Sequence, residues 1–200
     1  MFKGQNLNRP APGTMIDIQS IKLKKDIEAI KQLLSDKPRD FLLFVMGINN
    51  GIRASDLLKI KVGDVVHLKS GQALKIREKK TKKMNILVIN KPVYKALQNY
   101  LVKLEPTDDD FLFRSRKGEN KPLTVMSLNN LIKTWTKAIN LKGNYGTHSL
   151  RKTWGYHQRV THGIGFEVIA ERFMHSSPKT TMRYLGIDKE EVHGILMNEI

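Results

Sequence analysis

The chain has 200 residues, 40% of them hydrophobic, no cysteine, and 35 Lys+Arg against 19 Asp+Glu for a formal net charge of +16. This length and apolar content suit one packed domain; the missing cysteines exclude disulfides, thiolate zinc sites and cysteine nucleophiles. So positive a charge favours a polyanionic partner through long-range attraction and counterion release, nucleic acid ahead of a membrane surface or ribosome-like packing.

Taken in order, residues 1–20 carry Gly4, Pro10, Pro12 and Gly13 without a periodic apolar face and are read as a flexible N-terminal arm, with one domain over 21–200. Ile27, Ile30 and Leu34 recur at helical spacing from Lys24 onward. Pro38 opens a second helix, whose stretch Phe41 to Ile48 is apolar nearly all round and therefore expected to be buried. Its longest apolar run, Phe41 to Met46, is far too short to span a bilayer. No basic-then-apolar leader opens the sequence, so a soluble, intracellular (cytoplasmic) protein with no membrane partner is expected. Asn49-Asn50-Gly51 ends the helix, with Gly51 suited to a left-handed C-terminal position. A short helix is expected over Ala54 to Ile60, then a turn at Gly63-Asp64.

The period then changes to two. Leu74 and Ile76 alternate with Lys75 and Arg77, and Ile86 and Val88 with Leu87 and Ile89. Between them lies the basic run Lys79 to Lys83, broken by Thr81. This predicts a β-hairpin with a basic tip, joined by an earlier strand near Val65 to Leu68. Helical spacing returns through Val93, Leu97, Tyr100 and Leu101. Pro106 and the acids Asp108 to Asp110 break it, the acids being read as a solvated run rather than a metal cluster. Leu128, Leu131, Ile132, Trp135 and Ile139 give the cleanest amphipathic helix. Further helices are expected from near Ser149, around Phe166 to Phe173, and at the end through Val192, Ile195 and Leu196.

Two arginines, two histidines, a lysine and a tyrosine stand out: Arg53, Lys80, His148, Arg151, His175 and Tyr184. They have no metal-ligand spacing, and no nucleotide-binding loop accompanies them, so neither metal nor cofactor is expected. The set suits attack on a phosphodiester by a phenolic oxygen. Arg53 and Arg151 are candidates to clamp the non-bridging oxygens, on which charge grows as phosphorus becomes five-coordinate. His148 is a candidate base and His175 a candidate donor. Tyr184 is the candidate nucleophile. A lysine of the hairpin can protonate the leaving 5′-oxygen, with Lys79, Lys80, Lys82 and Lys83 all open to the role. Asp56 is expected to orient Arg53. Each residue alone is more often structural or solvated, and only their occurrence together outweighs that reading.

The chain resembles the tyrosine recombinases, or phage integrase family. Gly51-Ile52-Arg53-Ala54-Ser55-Asp56-Leu57-Leu58 is similar to the family's first arginine box, with Asp56 where glutamate is usual. Thr147-His148-Ser149-Leu150-Arg151-Lys152-Thr153 is similar to its His-x-x-Arg box. His175-Ser176-Ser177-Pro178 with Thr181-Met182-Arg183-Tyr184 is similar to its closing box, with Met174 where glycine commonly precedes the histidine. Lys80-Thr81-Lys82 keeps part of a lysine-threonine-glycine pattern. The resemblance implies a mainly α (α+β) catalytic domain with a small antiparallel sheet, lacking the family's N-terminal core-binding domain. It implies Arg53, Lys80, His148, Arg151 and His175 as the phosphate-activating set and Tyr184 as the nucleophile of a covalent 3′-phosphotyrosyl link. The implied activity is site-specific recombination of double-stranded DNA by a homotetramer on paired sites; the state off DNA is left open, with a monomer among the options. A non-catalytic DNA-binding regulator and a topoisomerase-like relaxer are the competing expectations.

Overall fold

In the computed structural model, which describes residues 17–187, eight α-helices and one two-stranded sheet are present among the described residues. The helices are α1 (Lys24–Leu33), α2 (Pro38–Asn50), α3 (Ala54–Leu57), α4 (Lys91–Leu104), α5 (Val125–Ala138), α6 (Thr147–Val160), α7 (Phe166–Phe173) and α8 (Pro178–Leu185). The strands are β1 (Ala73–Arg77) and β2 (Met84–Val88). The mainly α class with a small antiparallel hairpin follows the sequence reading.

Helix α2 is the axis of the main core. Leu42, Leu43, Phe44, Val45 and Met46 are all buried, as a helix apolar nearly all round requires. It packs against α1, α4 and α6, and Phe44 meets Trp135 of α5 edge to face, 6.1 Å between ring centres. A second, smaller cluster of Phe166, Ile169, Phe173, Leu185 and Ile187 joins α7 and α8, with Trp154 of α6 and Tyr184 packed on it. The candidate site lies where these two clusters meet.

β1 and β2 pair antiparallel with Ala73 opposite Val88 and Arg77 opposite Met84. The strand expected near Val65 to Leu68 is not formed. Val65 and Val66 both donate to the carbonyl of Val62, and Leu68 to that of Val65, so this stretch coils into turns that bury Val62 and Val65. The acidic run is not wholly solvated either: Asp110 is buried, accepts from the Thr107 amide at 3.0 Å and pairs with Arg114 at 2.8 Å.

Residues 17–20, assigned to the arm by the sequence reading, are tied to the body. Gln19 N–H donates to Asn144 O at 2.9 Å and Asp17 pairs with Lys152 at 2.8 Å. The rest of that arm and the final helix through Val192, Ile195 and Leu196 lie outside the described residues. No described helix is long and apolar enough to cross a membrane.

Candidate active site

The turn after α2 sets the first arginine. Gly51 has φ 59°, and a side chain there would meet the Trp154 ring at 2.6 Å, so both backbone and space demand glycine. Arg53 follows as the residue capping α3. Its guanidinium forms an ion pair with Glu78 and donates from Nη2 to Phe173 O at 3.5 Å. Arg151, on the buried face of α6, donates to Gly51 O at 2.6 Å and to Phe173 O at 2.7 Å. The two guanidiniums therefore converge on one carbonyl. Arg151 also lies over the Phe173 ring, 4.3 Å from its centre. Burial lowers its pKa to about 10, so it remains charged at neutral pH.

His148 stands on the first turn of α6, which starts cleanly because the Ser149 hydroxyl accepts from Gly146 N–H at 3.0 Å. Its Nδ1 is 3.3 Å from the Tyr184 hydroxyl. Although much of the residue is exposed, desolvation around the ring lowers its pKa, helped by the positive charges of Arg151, Lys152, Arg53 and Lys80. His175 follows Met174, which takes a left-handed conformation (φ 51°) at the end of α7. Its backbone N–H donates to Ala170 O at 2.9 Å and its Nδ1 shares a 3.0 Å hydrogen bond with the Thr181 hydroxyl. Burial, then Arg151 and Arg53, push its pKa down to about 4. Both imidazoles are thus neutral at pH 7.

Tyr184, on α8, is half-buried and boxed by rings. His175 lies 5.1 Å away at 80°, Phe173 5.6 Å away at 83°, and Lys152 Nζ sits 5.1 Å over the ring centre. Burial raises its pKa to about 12 against the opposing pull of Arg151 and Arg53. The phenol is therefore protonated at neutral pH and needs a base.

Five of the six residues singled out by sequence come together. Lys80 stands apart on the hairpin turn, exposed and with no side-chain hydrogen bond among the described residues, though its charge reaches His148. Asp56 does not orient Arg53. Its Oδ1 instead accepts from the Lys79 amide at 2.9 Å, leaving Oδ2 buried without a partner. The carboxylate on Arg53 is Glu78, which the sequence reading passed over. The signal was present: the inward period of Leu74 and Ile76 continues to Glu78, which is 1% exposed. Lys152 and Thr181 were missed as contacts of Tyr184 and His175. No group of His, Asp and Glu among the described residues could hold a metal ion.

The sequence matches the Phage integrase family over residues 22–191. The chain belongs to this family. A similar member is the probable integrase/recombinase YoeC of Bacillus subtilis, 34% identical over 176 residues, which cover 86% of this chain and 92% of YoeC. Tyrosine recombinase XerA of Pyrococcus furiosus is 29% identical over 167 residues, covering 83% of this chain but only 55% of XerA. The family fold is seen again in a crystal structure of XerA recombinase, with TM-score 0.72 and 21% identity over 91% of this chain and 67% of that one. It recurs in XerH bound to palindromic difH substrate, also with TM-score 0.72 and 21% identity, over 90% of this chain and 52% of that one.

Proposed function

We propose that this phage integrase family member is a site-specific DNA recombinase that cuts and rejoins double-stranded DNA through a 3′-phosphotyrosyl intermediate. The observation that carries the reading is the placement of a neutral imidazole nitrogen 3.3 Å from the Tyr184 hydroxyl, beside two guanidiniums sharing one acceptor. A phosphodiester bound here takes the place of carbonyl oxygens as acceptor for Arg53 and Arg151. Tyr184 Oη attacks phosphorus and its proton passes to His148 Nδ1. The Oη–P bond forms as the bond from phosphorus to the 5′-oxygen breaks. His175, neutral, donates to a non-bridging oxygen, while Arg53 and Arg151 neutralise the charge gathering there. Lys80, brought in by the hairpin, protonates the departing 5′-oxygen. Religation reverses these steps with a 5′-hydroxyl as nucleophile, so no nucleotide triphosphate is consumed. Double-stranded DNA is the substrate, and a homotetramer on paired sites the assembly. XerH bound to its difH substrate supports this choice of partner.

The test is covalent trapping. The 200-residue chain is incubated with nicked duplexes of randomised sequence, denatured, and any adduct mapped by peptide mass. An adduct at Tyr184, lost in Tyr184→Phe, is expected. Salt-sensitive DNA binding with no adduct under any condition would leave a DNA-binding regulator as the better reading. Supercoil relaxation without recombinant product would point to a topoisomerase-like activity.

A further inference from the structure

Glu78 is a buried carboxylate that the reaction above does not use. Its Oε2 takes Arg53 and the Thr81 hydroxyl (2.8 Å), and its Oε1 takes the Asn85 amide at 2.8 Å. These donors belong to three different places: the cap of α3, the hairpin turn that carries Lys80, and β2. Asn85 in turn accepts from Arg172 of α7, whose Nε donates to Asn50 O at 3.1 Å beside the Gly51 turn. The hairpin turn has further anchors. Lys82 N–H donates to Glu78 O at 3.0 Å, Lys79 N–H to Asp56, and the Thr81 hydroxyl lies 3.5 Å from Met174 Sδ.

We propose that Glu78 is a positioning residue that locks Arg53 and the lysine-bearing turn into one unit, so that the aim of the arginine and the approach of the lysine are set together. The proposal rests on the reading of Arg53 and Lys80 as groups acting on a phosphodiester. Both carboxylate oxygens accept and neither donates. Glutamine fits the space but is uncharged: the ion pair with Arg53 is lost whichever way the amide turns, and its N–H faces either Asn85 or the Arg53–Thr81 pair, which are themselves donors. A carboxylate buried this deeply persists only when paired and hydrogen-bonded, and charge-assisted bonds of this kind are the stronger ones. Among the described residues Thr81 is the single link from this carboxylate to the turn, so Thr81→Val releases the lysine side and leaves the arginine side in place.

The experiment uses the full chain and two readouts. The first is arginine side-chain 15N NMR, with Arg53 assigned through Arg53→Lys; a clamped guanidinium shows slowed Nη rotation. The second is single-turnover adduct formation on nicked randomised duplexes, made either with the ordinary 5′-oxygen or with a 5′-bridging sulfur, which leaves without protonation. Glu78→Gln is expected to free the Arg53 signal and to slow adduct formation about 100-fold on both substrates, the cost of a misplaced reacting group, with DNA affinity unchanged. Thr81→Val is expected to keep the Arg53 signal and to slow only the oxygen substrate. An unchanged Arg53 signal in Glu78→Gln, or an equal loss on both substrates in Thr81→Val, overturns the proposal. Should Glu78→Gln fail to fold, Glu78→Asp, which is too short to reach all three donors, is read in the same way. If the unmodified chain forms no adduct on either substrate, the recombinase reading fails, while the Arg53 signal still decides whether Glu78 holds the arginine.

Discussion

The Nδ1 atom of His148 lies 3.3 Å from the Tyr184 hydroxyl, and their rings meet edge to face at 78°. The phenol's pKa is raised to about 12 and that of the histidine is lowered from 6.5, so at neutral pH the proton sits on the tyrosine and the base is free. Adduct formation should therefore hold level through neutral pH and fall on the acid side as His148 is protonated, with a midpoint below 6.5. His148→Ala should remove that acid limb and slow the step by about 100- to 10,000-fold, the usual worth of a positioned base. Single-turnover rates across pH check this. An acid limb unchanged in His148→Ala assigns the base elsewhere.

His175 makes stability depend on pH. Its pKa is about 4 in the folded chain against 6.5 for the free side chain. Between these values the unfolded chain takes up a proton that the folded one refuses. Stability is thus full above 6.5 and falls as pH drops toward 4. His148 and His157 shift in the same direction, so the share of His175 is the part that His175→Gln removes. That share should be on the order of 2 kcal/mol, below what the full pKa difference would give because the partly exposed ring is screened by solvent. Urea melts of both proteins at neutral and acidic pH measure it, and parallel pH dependence would contradict the assignment.

Arg151 serves structure and chemistry at once. It satisfies the carbonyls of Gly51 and Phe173 while lying 3% exposed. Arg151→Ala should orphan the Gly51 carbonyl, at about 1–3 kcal/mol for a buried acceptor, and leave Phe173 O only the long 3.5 Å bond from Arg53; it should cost adduct formation about 100- to 1000-fold. Arg151→Lys keeps the charge but cannot reach both carbonyls with a planar fork. It should recover stability more than rate. Recovery of both in equal measure would show that a point charge suffices.

Helix positions were readable in the sequence because the core is built on one-face periodicity. Ile27 and Ile30 of α1, and Leu128 and Ile132 of α5, are buried where the spacing placed them. Val65 misled because β-branched residues over a short span satisfy a strand pattern, whereas here three backbone bonds close turns. The buttress of Arg53 was misassigned for a related reason. Proximity in sequence favoured Asp56, but the ion pair comes from Glu78 across the hairpin, and pairing between distant segments leaves no local spacing to read. Met174 marks another such place: its left-handed backbone explains why glycine is usual there, and its sulfur touches Thr81 on the hairpin.

Lys152 is a third cation on the nucleophile, after Arg53 and Arg151. Its ammonium lies 5.1 Å over the Tyr184 ring and is held there by Asp17 at 2.8 Å. Tyr184 is also faced by Arg53, Arg151, His148 and His175. Lys152→Met keeps the apolar stem and removes the charge. A cation on a ring face contributes about 0.5–2 kcal/mol, so adduct formation should slow roughly 2- to 30-fold, with any alkaline limb moving to higher pH. A rate loss with no movement of that limb would reduce Lys152 to a packing role.

The lysine assignment is open to a direct chemical test. Lys79, Lys80, Lys82 and Lys83 all lie exposed at or beside the hairpin turn, so burial does not choose among them. The leaving 5′-oxygen needs a proton, whereas a 5′-bridging sulfur, being the far weaker base, does not. Replacing the proton donor by alanine should therefore slow cleavage of the oxygen substrate by about 100-fold or more and leave the sulfur substrate near its original rate. Replacing a lysine that only contacts backbone phosphate should slow neither chemical step, but should weaken DNA binding and reduce its salt slope by about 0.9. Lys80→Ala is expected to show the first pattern, and the other three the second. Sulfur rescue in Lys79→Ala, Lys82→Ala or Lys83→Ala instead would move the role to that residue, and rescue in none would take general-acid catalysis away from the hairpin.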